Sequence, residues 1–246
     1  MTEEFTEDAL LGGRVRLRQK RDGFRAAIDS VLLAAATPAA PGETVLEPGA
    51  GAGAAALCLA RRVDGCRVVG IELRADLVRL AGDNARLNGL GDCLDFVIGD
   101  IARAPPRIEP GGFAHVMMNP PHHVADRVAV SPDAERAAAN TEGAAALAVW
   151  LEVGLRMLRR RGTLTLIHRA DRLDEILAAL AGRAGEMVVF PLWPGQGDKP
   201  AKRVIVRARK EARTPLRLAP GLVLHGDDGA FTSRADAVLR GAALEI

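Results

Sequence analysis

Apolar positions recur along this chain with two alternating periods. Short apolar or β-branched runs at Thr44–Glu47, Arg67–Glu72, Leu94–Ile98, Phe113–Met118 and Thr163–His168 predict buried parallel strands. Between them, Ala54–Arg62, Asp76–Leu87, Glu142–Arg160 and Leu173–Ala181 predict helices, with Asn88-Gly89 and Gly162 as stop signals. Met187–Trp193 and Arg203–Arg209 flank a loop without helical pattern, Pro194–Lys202, and predict an antiparallel hairpin. The alternation predicts an α/β fold with a Rossmann-like, doubly wound, seven-stranded sheet, mostly parallel with an antiparallel last strand. Residues 1–40 predict an N-terminal extension: a short hairpin (Arg14–Arg18 against a strand around Phe24) and a helix capped by Asp29. Residues 41–246 then form the main domain.

Composition narrows the class. The 246 residues are 48% hydrophobic and 26% charged, enough apolar material for a full core and unlike a disordered chain. No run of 18 apolar residues occurs, and the acidic start MTEEFTEDALLGG lacks the pattern of a signal peptide. Cysteines 58, 66 and 93 form neither a disulfide framework nor a CxxC motif, and fit reduced thiols in a cytoplasmic protein. Net charge is +2, but 14 of the 33 basic residues and only 2 of the 31 acids fall within residues 14–25 and 199–217. Two basic segments on an otherwise acidic chain point to a polyanion partner. The plain alternative is a pair of solvated, arginine-rich strands.

Candidate chemistry starts at residues 45–54, VLEPGAGAGA. Gly49, Gly51 and Gly53 allow a sharp turn and close approach of the backbone to a ligand. The spacing also satisfies the loose dinucleotide form G-x-G-x-x-A, so NAD is an alternative ligand; it is no P-loop, because no Gly-Lys-Ser/Thr comes after it. Glu47, at the strand end, disfavours a diphosphate and favours a cationic ligand. Glu72 ends the next strand, where a carboxylate accepts both hydroxyls of an adenosine ribose. Asp100 ends the third strand, placed either to accept from an adenine amine or to cap the turn at Ile101.

The most specific signal is HVMMNPPHH at 115–123. A strand delivers Asn119 to its C-terminal end, where open α/β sheets bind ligands, and Pro120 and Pro121 stiffen the turn beyond it. An aromatic amine is a poor nucleophile because its lone pair is delocalised into the ring. Two oxygen acceptors, the Asn119 side chain and the Pro120 carbonyl, can hold both N–H bonds out of the ring plane and return density to nitrogen. Positioning and electrostatics then carry methyl transfer without a metal. A strand-ending turn without chemistry is the plain alternative.

VLEPGAGAG, IE at 71–72, GD at 99–100 and NPP at 119–121 together resemble the ordered motifs of class I S-adenosylmethionine-dependent methyltransferases that modify amines. The outer segments DALLGGRVRLRQ, DGFRAAIDSVLLA, KPAKRVIVRARK and LVLHGDDGAFTSRADAVLR resemble the bacterial tRNA(Val) adenine-N6-methyltransferase family. The resemblance implies S-adenosyl-L-methionine held by Glu47, Gly49, Gly51, Gly53, Glu72 and Asp100, and a target adenine amine in tRNA held by Asn119 and Pro120. It departs from the family where Tyr or Phe usually comes after the prolines to stack on the flipped base. This chain has His122, which stacks over less area. His122-His123 lacks further ligands nearby in sequence, so no metal is expected. Pro121, His122, Lys199, Lys202 and Arg203 are the candidate substrate contacts, the last three with phosphates. Arg159–Arg161 read as favourable charges at a helix C-terminus, and Trp150 and Trp193 as core. A protein glutamine-amide methyltransferase uses the same amide geometry but typically carries a helical domain ahead of the loop, where only 44 residues precede Val45 here. An NAD(P)-dependent oxidoreductase and a cofactor-retaining RNA-binding module without catalysis are the remaining alternatives.

Overall fold

A computed structural model describes residues 5–21, 25–26, 28–103, 105–121 and 147–246. The parallel half of its main sheet is β3 (Thr44–Pro48), β4 (Arg67–Glu72), β5 (Leu94–Ile98), β6 (Phe113–Met118) and β7 (Leu158–Arg169). The antiparallel pairings come from β8 (Ala184–Trp193) and β9 (Arg203–Lys210). The spatial order is β5-β4-β3-β6-β7-β9-β8, with every pair from β5 to β7 parallel and β9 antiparallel to both neighbours. These are the seven expected strands. Two strands of two residues each, β10 (Arg217–Leu218) and β11 (Leu222–Val223), add to the β8 edge and make nine among the described residues. They are too short for any sequence period to register.

Side chains alternate between two cores, as the pleat requires. Val45, Met117, Ile167 and Ile205 face α1 (Ile28–Ala36), α2 (Ala54–Arg62) and α3 (Ala75–Leu87). Leu46, Val116, Leu166 and Val206 face α4 (Leu147–Met157) and α5 (Leu173–Leu180). A last helix, α6 (Ser233–Leu239), packs its buried Ala235 and Val238 into the first core, capped by the Thr232 hydroxyl. The described part of the long helix expected at 142–160 covers only α4, because β7 already begins at Leu158. No helix among the described residues is long and apolar enough to cross a membrane.

The N-terminal segment differs from expectation. Val15–Lys20 (β2) pairs with Phe5–Leu10 (β1), not with a strand near Phe24, which lies outside the described residues. The alternation along β1 is too weakly apolar to announce a strand. Val15, Leu17 and Gln19 point inward, and Arg16, Arg18 and Lys20 outward. Two asparagines four residues apart, Asn84 on α3 and Asn88 just beyond its last residue, hold β2 against this helix. Asn84 Oδ1 accepts from Arg18 N (2.9 Å) while its amide donates to Arg18 O (2.9 Å); Asn88 does the same for Arg16 N (2.8 Å) and O (2.7 Å). Asp29 is not a cap, because α1 starts one residue earlier; its carboxylate accepts from Arg203 Nε at 3.0 Å.

Candidate active site

The carboxyl ends of β3, β4, β5 and β6 meet along one edge of the sheet. At β3 the chain turns back through three glycines with φ of +69°, +55° and +84° at Gly49, Gly51 and Gly53. Gly49 N and Ala50 N both donate to Ile71 O, at 2.7 and 3.0 Å, which pins the loop to β4. At Gly49 a Cβ would stand 2.7 Å from Trp150 Cη2, and at Gly53 2.9 Å from Phe96 Cζ, so neither position has room for a side chain. At Gly51 nothing lies within 4 Å. This is the bare backbone a ligand can approach.

Glu72 holds the loop from the next strand. One carboxylate oxygen accepts from Gly51 N at 2.9 Å and the other from Arg74 N at 3.0 Å. Each oxygen keeps a second lone pair for a ribose hydroxyl. Asp100 is exposed, and its Oδ1 accepts from Ala102 N at 2.9 Å, capping the short turn Ile101–Arg103. The capping role is thus real, and it leaves the other oxygen for an adenine amine. Leu73 comes directly after Glu72 and Ile98 two residues before Asp100, and they are 68% and 59% exposed. Two large apolar side chains held in water beside two acids make walls suited to a flat base. Both residues stand in the sequence next to the predicted acids, but their exposure does not.

Glu47 departs from the electrostatic role expected of it. Its side chain is buried, and Oε2 accepts from Ala56 N at 3.0 Å. Burial pushes its pKa up to about 8; the Ala56 hydrogen bond opposes this and the nearby Glu72 charge adds to it. At neutral pH the carboxyl is therefore mostly protonated and attracts a cation only once that cation has displaced its proton.

Asn119 stands immediately beyond β6. The register Leu46↔Val116 makes it the lateral neighbour of Gly49, each three residues further along adjacent parallel strands. Its Oδ1 is buried and has no hydrogen-bond partner among the described residues. An orphaned buried acceptor costs about 1–3 kcal/mol unless a ligand completes it. Pro120 is buried and Pro121 half-buried behind it. Trp150, placed in the core from sequence, is buried there, and it lies on Gly49 with its indole N–H also unpartnered among the described residues. His122 lies outside the described residues. No group of three His, Cys, Asp or Glu side chains suited to a metal lies among the described residues.

Another residue escaped the sequence. Asn84 is fully buried and donates to Ala52 O at 3.0 Å, so the same amide that grips β2 also holds the glycine loop. An asparagine inside a predicted helix looks like a solvated position, and only the packing of β2 against α3 shows otherwise.

The first basic segment is largely answered from within, whereas in the second only Arg203 and Arg209 form ion pairs among the described residues. Arg16 and Arg18 share Glu7, Arg25 pairs with Asp8, Lys20 with Asp76 and Arg203 with Asp29. Arg209 is bound to Glu186. Lys199 and Lys202 make no ion pair among the described residues and stay exposed, Lys199 on the Pro194–Lys202 loop and Lys202 at its end. The expected phosphate contacts thus divide: the two lysines carry uncompensated charge, and Arg203 carries a paired one.

Known proteins similar to this chain are methyltransferases. The family described as a methyltransferase domain matches residues 45–140. The chain is 29% identical over 226 residues to the tRNA1(Val) (adenine(37)-N6)-methyltransferase of Aeromonas hydrophila subsp. hydrophila, covering 87% of this chain and 88% of that one. It is 28% identical over 204 residues to the protein of the same name from Actinobacillus succinogenes, covering 81% and 83%. Among solved structures, a predicted O-methyltransferase from Agrobacterium tumefaciens superimposes with a TM-score of 0.73 at 26% identity, covering 88% of this chain and 98% of that one.

Proposed function

We propose that this chain, which is a class I S-adenosylmethionine-dependent methyltransferase, methylates the N6 amine of an adenine in tRNA. The reaction named for the curated relatives supports the substrate. One observation carries the chemistry: a buried Asn119 Oδ1, without a partner among the described residues, beside the glycine loop. We further read the protein as cytoplasmic.

S-adenosyl-L-methionine supplies, when bound, a methyl group on a positively charged sulfur. Gly51 offers it bare backbone, Glu72 its ribose acceptors, Asp100 an acceptor for its adenine amine, and Leu73 and Ile98 apolar walls. Glu47 compensates the ligand's positive charge by giving up its proton. Asn119 Oδ1 and the Pro120 carbonyl each accept one N–H of the target amine. This holds the amine pyramidal and directs its lone pair at the donor. Both acceptors are neutral and keep their place in the ground state, so their gain comes as positive charge develops on nitrogen. Neither is a strong base; the extra proton leaves the methylated amine for water.

Asn119→Ala tests this. Affinity for S-adenosylhomocysteine by calorimetry stays within about twofold, while labelled-methyl transfer to unmodified tRNA falls about 10²- to 10³-fold. Undiminished transfer by the variant removes the mechanism. Mass spectrometry of the product nucleosides decides the acceptor atom. N6-methyladenosine supports the reading; a ribose 2′-O-methyl product would align the chain with its structural neighbour's name instead.

A further inference from the structure

The carboxyl edge of the sheet carries a second concavity, away from the corner formed by β3 and β6. Its volume is about 440 Å³, within the size range of small-ligand sites. It lies between the loop after β8 and the turn after β11, lined by Gly195, Gln196, Lys199, His225 and Asp227 among others. Strand order places β8 three spacings from β6, or about 14 Å across the sheet.

The turn is tightly built. His225 and Phe231 form an antiparallel bridge, Gly226 N donates to Ala230 O at 2.9 Å, and Gly229 N to Gly226 O at 3.1 Å. The imidazole stacks on the Phe231 ring, centroids 4.6 Å apart and planes inclined by 25°. His225 is among the residues that line the cavity, and Phe231 stacks on its ring. His225 Nδ1 lies 3.0 Å from Gly229 O. A carbonyl only accepts, so Nδ1 carries the hydrogen, and in the neutral ring Nε2 remains an acceptor. Phe231 is 39% exposed in a chain with only six Phe, two Trp and no Tyr. An aromatic ring held in place by a stack and a hydrogen bond, beside an ammonium that makes no ion pair among the described residues, is the pairing that binds single-stranded nucleic acid: a base stacks and a phosphate is neutralised. Asp227 and Gln196 suit the amine edge of a base rather than its phosphate.

We propose that this concavity binds one nucleotide of the RNA substrate, a few positions along the strand from the methylated adenine. Its base lies on His225 and its phosphate against Lys199. The inference rests on the tRNA reading for its ligand but on separate residues for its evidence.

The test uses full-length protein and a fluorescein-labelled tRNA anticodon stem-loop, read by fluorescence anisotropy. His225→Asn preserves an amide donor toward Gly229 but removes the ring; it weakens binding about tenfold. His225→Phe, which keeps a stacking face, recovers most of that loss. Lys199→Ala reduces the slope of log Kd against log salt by about 1. In methyl transfer to tRNA these variants raise KM and leave kcat and S-adenosylhomocysteine affinity unchanged. Stem-loop binding by His225→Asn equal to wild type overturns the proposal and reduces His225 to a turn residue, as does a wild type that does not bind the stem-loop. The two readings fail separately. Wild-type protein that binds RNA through His225 but methylates no tRNA overturns the reaction alone; tRNA methylation with KM unaffected by all three variants overturns this site alone.

Discussion

Asn84→Ala is the most informative single change outside the reacting groups. The side chain makes three hydrogen bonds at one buried position: it accepts from Arg18 N, and donates to Arg18 O and to Ala52 O. Truncation leaves a strand N–H and two carbonyls without these partners. Each bond contributes about 1 kcal/mol net, and Ala regains about 0.5 kcal/mol of helix propensity, so the loss is about 2.5 kcal/mol. That is a large share of a typical domain's stability. Asn88→Ala is the control. It removes a similar set of bonds to Arg16 and to Asn84 O at a half-buried position where water can substitute, and costs about 1 kcal/mol. Urea unfolding monitored by circular dichroism measures both. The two variants differ in function as well, because only Asn84 reaches the glycine loop. S-adenosylhomocysteine affinity falls several-fold in Asn84→Ala and holds in Asn88→Ala. Equal destabilisation by the two variants, or unchanged ligand affinity in Asn84→Ala, refutes the claim that this amide joins the hairpin to a ligand-binding glycine loop.

Other consequences are as direct. Because Glu47 is raised to about 8 in the folded protein from 4.5, the folded state holds the extra proton between those values. Stability of the ligand-free protein therefore falls as pH rises through that window and levels above it, a slope that Glu47→Gln abolishes in thermal melts across pH. The same variant binds S-adenosylmethionine more weakly than wild type at pH 8.5, and the wild-type affinity rises with pH, both readable by calorimetry. Gly49→Ala fails on space and backbone together, with φ at +69° and Trp150 in the way, and unfolds at lower urea than wild type; Gly51→Ala, with open space, loses ligand affinity with a smaller change in stability. Burial raises the Cys58 thiol to about 12 and Cys66 to about 11, so iodoacetamide at pH 8 modifies the half-buried Cys93 first, and Cys58 only on unfolding, by peptide mass mapping.

The sequence was sufficient for the seven long strands, their directions and the residues at their carboxyl ends, because each is a local matter. A β-branched run such as Arg67–Glu72 states its own period, and a glycine triplet or an Asn-Pro-Pro turn states its own backbone. The positions of Asn119, Glu72 and the glycines at the carboxyl edge were therefore legible before any coordinates. What tertiary structure alone decided was each group's surroundings. Glu47 reads as a charge until burial and the Ala56 amide make it mostly neutral. Arg16, Arg18 and Lys20 read as a polyanion face until Glu7 and Asp76 are found opposite them. Asn84 reads as a solvated helix position until β2 and Ala52 close on it. His225 and Phe231 read as loop residues until a bridge stacks their rings beside Lys199. In each case the deciding partner lies far along the chain or across an element boundary. Desolvation and pairing depend on that partner's position in space, which a local pattern of polar and apolar residues does not encode.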